Sequence, residues 1–142
     1  MPPSVPTTDA KCVFCNIVAH RSPAWIVYED DHTMAFLDIF PFTRGHLLVI
    51  PKRHGARLTD IPFDEQMGLI RSLDEICRRV ETRFTPHYNV AMNTGANAGQ
   101  IVMHVHFHVI PRYGEGNPFL NRPRAPLAES DARVVVAELS PP

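Results

Sequence analysis

Seven consecutive residues constrain this chain more than any others: His104, Val105, His106, Phe107, His108, Val109 and Ile110, closed by Pro111. Histidine alternates strictly with an apolar residue, and a period of two is the period of a β-strand, whose side chains point alternately to opposite faces. Read as a strand over Val102 to Ile110, the segment sends Val105, Phe107 and Val109 into a core and lines three imidazoles on the other face. Such a strand cannot stand alone, so the chain must build a sheet around it. Residues two apart on a strand lie about 6.6 Å apart along the backbone. That is too far for three rings to converge on one ion at about 2.0 Å each, so the three histidines are expected to divide their labour. A lone histidine would read as a polar position on a strand face; three in alternation argue against that.

The remaining elements supply the sheet. Trp25 to Glu29 and Thr33 to Leu37 read as a hairpin over the Asp30–Asp31 turn, and His46 to Ile50, ended by Pro51, as a third strand. Met67, Ile70, Leu73, Ile76, Cys77, Val80 and Phe84 recur at helical spacing and predict one long amphipathic helix over 63–84, with Cys77 in the core. His87 to Met92 is a fourth strand and the histidine segment the fifth. The expected fold is α+β: a five-stranded antiparallel sheet with one long helix and a short N-terminal one.

Proline marks the ends. Of 14 prolines in 142 residues, eight lie in 1–10 and 116–142, so the folded part is expected at 11–115. Residues 1–10 are expected to form a disordered arm. The tail 116–142 would be Pro-rich, packing on the domain or on a dimer partner, and Ala132 to Leu139 is compatible with strand or helix.

Charge and cysteine content narrow the function. A net charge of −1, from 14 basic and 15 acidic residues without a basic stripe, argues against a nucleic-acid backbone binder. No apolar run reaches membrane-spanning length, and no apolar leader segment is visible, so a cytoplasmic protein is expected, with the nucleus also open. Three cysteines form no disulfide framework. Cys12 and Cys15 in a CxxC pair suit either a redox pair or zinc. A redox pair would need a βαβ setting, which is missing, whereas two thiolates and two imidazoles complete a tetrahedral zinc site.

Before the histidines runs Asn93–Thr94–Gly95–Ala96–Asn97–Ala98–Gly99, a small-residue loop able to bring backbone N–H groups close to an anion. Beside a row of imidazoles it suits a nucleotide phosphate. The motifs Cys12–x–x–Cys15, Phe36–Leu37–Asp38–Ile39, Arg44–Gly45–His46, Pro51–Lys52–Arg53–His54 and Asn93 through Pro111 together resemble the histidine-triad (HIT) family, and within it the Hint-like branch rather than the dinucleotide hydrolases.

The resemblance implies a division of roles. His106 would attack the α-phosphate and form a nucleotidyl-histidine, its other nitrogen held by a backbone carbonyl; an imidazole with a pKa of about 6.5 is a neutral nucleophile near pH 7. His108, Asn93, Gln100 and the backbone at Gly99 and Ile101 would hold the phosphate. Asp38 would bind the ribose hydroxyls, although the same residue also reads as a turn aspartate. Val13, Phe14, Ile17, Phe36 and Ile39 would enclose the purine, and are equally what a core contains. His54 and His104 would join Cys12 and Cys15 on structural zinc, with no metal needed for catalysis. His20, His32, His46 and His87 are left as structural or surface residues. Ile101 departs from the family's usual serine or threonine at that place.

The implied activity is hydrolysis of purine nucleoside 5′-phosphoramidates by a homodimer. Two alternatives stay open: a dinucleoside polyphosphate hydrolase or nucleotidyltransferase, and a non-catalytic, zinc-stabilised nucleotide-binding module.

Overall fold

A single aspartate ties the first hairpin to the long helix. In the computed structural model, which describes residues 8–116 and 125–141, Asp30 sits in the turn between β1 (Ile26–Glu29) and β2 (Thr33–Leu37). Its Oδ1 accepts the N–H groups of His32 and Thr33 at 2.9 and 2.8 Å. Its Oδ2 accepts the Tyr28 hydroxyl at 2.9 Å and the Ser72 hydroxyl of α2 (Phe63–Arg83) at 3.2 Å. Burial alone would raise the Asp30 pKa, but the N–H groups of His32 and Thr33 and the Tyr28 hydroxyl outweigh it and hold the carboxyl at about 2.

The sheet is five-stranded and antiparallel throughout, as the sequence predicts. β3 (Leu47–Pro51), β4 (Tyr88–Ala91) and β5 (Phe107–Pro111) complete it, in the order β1-β2-β3-β5-β4. Both of its faces are covered. On one side Ala35, Leu37, Leu47, Val49 and Val109 pack against Leu69, Ile76 and Val80 of α2 and Ala132, Val135 and Leu139 of α3 (Glu129–Leu139). On the other, Met34, Phe36, Leu48 and Ile50 pack against Cys12, Phe14, Cys15 and Ile17 from α1 (Val13–Val18) and its N-cap. β2 and β3 are therefore buried at every position, while their side chains still alternate between the two cores.

Two features differ from the sequence-based expectation. The helical stripe is rotated: Leu69 and Ser72 face the sheet, whereas Met67 and Ile70 are 54% and 51% exposed. Helix α2 carries apolar residues on two faces, so periodicity alone joins them into one stripe. The fifth strand is shorter than 102–110, beginning at Phe107. Pairing with β3 ends at Val49↔Phe107 and with β4 at Ala91↔His108, so no strand lies alongside the earlier residues. Residues 102–106 are held instead by loop 54–57, where Val105 N–H donates to the Gly55 carbonyl at 2.7 Å.

Helix α3 lies within the segment 116–142 and packs on α2 and β1. The proline steps at Asn117–Pro118 and Arg122–Pro123, and most of the arm 1–10, lie outside the described residues. Among the described residues, no helix is long and apolar enough to cross a membrane.

Candidate active site and metal centre

Because β5 pairs with β3 through Leu48↔His108, the histidine segment runs beside the end of β3 and the loop after β2. His104 and His106 are buried, and His108 is mostly so. His106 and His108 lie face to edge with ring centroids 4.9 Å apart. The Nδ1 of His106 is 2.7 Å from the backbone carbonyl of His104. A carbonyl only accepts, so the ring donates from Nδ1 and its Nε2 keeps a free lone pair. Burial lowers the pKa of His106, which favours this neutral form. The arrangement gives a neutral imidazole, held from behind, whose Nε2 is unprotonated. The ring of Phe14 stands edge-on to His106 at 5.2 Å and to Phe36 at 5.4 Å.

The loop ahead of the histidines is stitched to itself. Gly95 and Gly99 adopt positive φ, +85° and +93°, conformations in which a side chain would be strained. Gln100 is buried, and its side chain is committed to the protein. Its Oε1 accepts from Gly95 N–H at 2.7 Å, and its Nε2 donates to the carbonyls of Ala56 and Val102 at 2.8 and 3.1 Å. The N–H groups of Gly99 and Gln100 donate to Ala96 and Gly95. Gln100 thus shapes the loop. Among the described residues, the Asn93 carboxamide and the Ile101 N–H carry no protein hydrogen bond and are among the donors this segment offers to an anion. The Ile101 side chain is 87% exposed.

Asp38 follows β2. Its N–H donates to the His46 carbonyl at 3.0 Å, its Oδ1 accepts Phe40 N–H at 2.8 Å, and its Oδ2 lies 3.5 Å from Nε2 of His46. The turn reading of this residue is therefore satisfied by one oxygen, while the other faces the histidines. Of the five apolar candidates, Phe14, Ile17 and Phe36 are buried in the α1-side core, whereas Val13 and Ile39 are exposed.

Behind the nucleophile candidate, Cys12, Cys15, His54 and His104 place one ligand atom each within 4.8 Å of one another. Nδ1 of His104 is 3.5 Å from Cys12 Sγ and 3.6 Å from Cys15 Sγ, and Cys15 Sγ is 3.3 Å from Nδ1 of His54. Tetrahedral zinc with bonds of about 2.3 Å to sulfur and 2.0–2.1 Å to nitrogen puts its ligand atoms about 3.3–3.8 Å apart. The proton inventory fits as well. Nε2 of His104 donates to the Pro51 carbonyl at 2.7 Å, which leaves Nδ1 unprotonated toward the sulfurs, the arrangement a metal-bound histidine needs. Burial holds the His104 pKa down at about 4 and pushes the Cys15 thiol up to about 11. A divalent ion would reverse the latter by taking the thiolate.

A HIT domain model matches residues 19–115. This chain belongs to the HIT family. An uncharacterized HIT-like protein of Methanocaldococcus jannaschii is 45% identical over 106 residues, 74% of this chain and 82% of its own. The adenosine 5′-monophosphoramidase of Saccharomyces cerevisiae is 42% identical over 112 residues, covering 77% and 67%. Among solved structures, a Zn-bound histidine triad family protein from Mycobacterium smegmatis superimposes with a TM-score of 0.76 at 40% identity, over 91% of this chain and 93% of that one.

One residue at this HIT site was not singled out from the sequence. His46, immediately before β3, is fully buried, stacks on Phe42 at 5.6 Å and reaches His108. A signal for it was present in the pairing pattern: His46 shares a strand face with Leu48, and Leu48 lies directly opposite His108.

Proposed function

We propose that this protein is a nucleotide-binding hydrolase that cleaves purine nucleoside 5′-phosphoramidates through a covalent intermediate on His106. The observation that carries the reading is the Nδ1–H to carbonyl bond of His106, which aims a lone pair from Nε2 beside a second histidine. In the first step Nε2 bonds to the α-phosphorus as the phosphorus–nitrogen bond breaks, and the amine leaves with a proton taken up from solvent, which the water of the second step gives back. In the second, water attacks the nucleotidyl-histidine, releasing the nucleoside monophosphate and freeing the imidazole. His108, Asn93 and the Ile101 N–H would hold the phosphate oxygens, where charge grows in both steps. The backbone at Gly99 and the side chain of Gln100 would fix the loop that presents them. The Oδ2 of Asp38, on the side facing the histidines, would take the ribose hydroxyls, with Phe14, Val13 and Ile39 beside the base. The relatives named as adenosine 5′-monophosphoramidases favour an adenosine substrate. Zinc on Cys12, Cys15, His54 and His104 would brace the segment that carries the nucleophile and take no part in the bond changes.

The deciding experiment is a substrate panel with quenched intact-mass analysis. An adenosine phosphoramidate should be cleaved, with a transient mass increase of one nucleoside monophosphate on the protein. Preferential cleavage of a dinucleoside polyphosphate would replace this reading with the polyphosphate one.

Ile101 gives the binding-module reading its footing, because its exposed side chain offers no hydroxyl where the family supplies one. Ile101→Ser is expected to raise kcat by about 3–30-fold, the scale of one added oriented donor, in a steady-state assay of amine release. No gain would mean that the Ile101 N–H alone supplies what the transition state needs.

We further propose a homodimer in the cytoplasm or nucleus. Phe63, Met67 and Ile70 are exposed on one face of α2, and β4 is a sheet edge with Val90 exposed. Ile70→Glu should convert a dimeric mass to a monomeric one in size-exclusion light scattering. An unchanged mass would place the interface elsewhere.

A further inference from the structure

His46 carries a hydrogen-bond chain whose every direction is fixed from one end. The backbone N–H of Phe42 lies 3.0 Å from Nδ1 of His46. A backbone N–H can only donate, so this Nδ1 accepts and bears no proton; the neutral ring then keeps its proton on Nε2. Nε2 lies 2.9 Å from Nδ1 of His108 and 3.5 Å from Oδ2 of Asp38. The nearer atom is at hydrogen-bond distance and the farther is not well placed for one. Nδ1 of His108 therefore accepts, and the proton of His108 sits on its Nε2.

The 2.9 Å separation also argues against an ion shared by Asp38, His46 and His108, whose ligand atoms cluster. Two nitrogens on one tetrahedral zinc stand about 3.3 Å apart.

We propose that His46 is a positioning residue that locks His108 as the Nε2–H tautomer, so that the imidazole next to the nucleophile presents a hydrogen-bond donor to the phosphate. The inference rests on the reading of His108 as a phosphate contact. Without His46, the Asp38 carboxylate, 4.0 Å from Nδ1 of His108, is an acceptor on that side. It would draw the proton to Nδ1, leaving a lone pair on Nε2 facing phosphate oxygens. His46 blocks that tautomer by occupying Nδ1 with its own N–H. Two rings of the candidate site thus carry opposite tautomers. His106 is held Nδ1–H by the His104 carbonyl and His108 is held Nε2–H by His46, which makes one a nucleophile and its neighbour a donor.

The test is nitrogen-15 NMR of the imidazoles in the full-length protein with labelled histidine, for wild type, His46→Gln and His46→Leu. Wild type should show His46 and His108 both protonated at Nε2. In His46→Leu the His108 signals should move to the Nδ1–H form or an average of the two, with kcat falling about 10–100-fold and KM little changed. In His46→Gln, whose side-chain amide can still donate to His108, the wild-type tautomer and most of the rate should return. An Nδ1–H tautomer of His108 in wild type overturns the proposal, as does an unchanged spectrum in His46→Leu or a glutamine variant no better than the leucine one. If His46→Leu does not fold, the wild-type and glutamine spectra decide. The spectra need no substrate: absence of phosphoramidate turnover in wild type would count against the proposed function while leaving the tautomer assignment standing.

Discussion

Replacing His106 with alanine should abolish turnover of an adenosine phosphoramidate, lowering kcat by about 10⁴-fold or more, the usual scale for loss of a covalent nucleophile. No neighbouring group can take over. His104 directs its Nε2–H to the Pro51 carbonyl and its Nδ1 to two sulfurs, and Nδ1 of His108 is engaged by His46. His106 alone pairs an Nδ1–H fixed by a carbonyl with a free Nε2 lone pair, and burial keeps that lone pair unprotonated. The fold should survive. The ring packs edge-on against Phe14 and His108 at the margin of the α1-side core, so its removal should cost about 1–3 kcal/mol. The measurement is amine release by both proteins, with helical circular dichroism and nucleotide binding as controls. Quenched mass spectra should show the nucleotidyl adduct in wild type and none in the variant. A folded variant that keeps turnover within about tenfold would show that water attacks directly, and His106 would then be a binding residue.

Fold and site are legible in the sequence where one physical rule dominates and not where two compete. β2 is legible over its whole observed length, Thr33–Leu37, because it is an apolar run too short for a stable helix, set directly after the Asp30–Asp31 turn that pairs it with the run before. The histidine alternation identified the right side chains but overran the strand, since alternation reports which way side chains point and says nothing about whether a partner strand lies alongside. That partner ends at Val49 and Ala91, and residues 102–106 find theirs in loop 54–57 instead. On α2, Met67 and Ile70 entered the predicted stripe and Leu69 did not, because an apolar residue on an outer face has the same periodicity as one on the inner face. The Cys12, Cys15, His54, His104 cluster was reached through resemblance, and two of its members come from loops that no local pattern joins. His46 is not legible in the sequence because its partners Asp38 and His108 meet it only once β3 pairs with β2 and β5. The helical outcome of Ala132 to Leu139 likewise depends on packing: Ala132, Val135 and Leu139 fall on one helical face that the sheet and α2 complete.

Disrupting the cysteine–histidine cluster should be the largest stability change available from one side chain outside the main core. Cys15→Ser, or removal of metal by a chelator, is expected to lower Tm by about 10–20 °C, from a loss of about 3–5 kcal/mol in a domain of this size. The loss is smaller than the full binding energy of a zinc site because two apolar cores hold the sheet without it. It is nevertheless substantial, because the cluster ties helix α1 to the loop after β3 and to the stretch before β5 at one point. Cys12 caps α1 and accepts Cys15 N–H at 3.4 Å; His54 comes from the loop after β3, and His104 from the stretch before β5. Helix α1 has six residues, too few to persist without tertiary anchors. The effect should therefore reach the nucleotide. Val13 and Phe14 lie between the two cysteines, and Phe14 touches the His106 ring, so an unanchored α1 should weaken nucleotide binding several-fold, read by calorimetry apart from turnover. Metal analysis should find about one zinc per chain, and cobalt(II) substitution should give the thiolate charge-transfer band of a tetrahedral site. A protein whose Tm and nucleotide affinity ignore both chelator and Cys15→Ser would refute the zinc site. The short S···N distances would then be hydrogen bonds of neutral thiols to His104 and His54, consistent with a Cys15 thiol that burial keeps protonated to about pH 11.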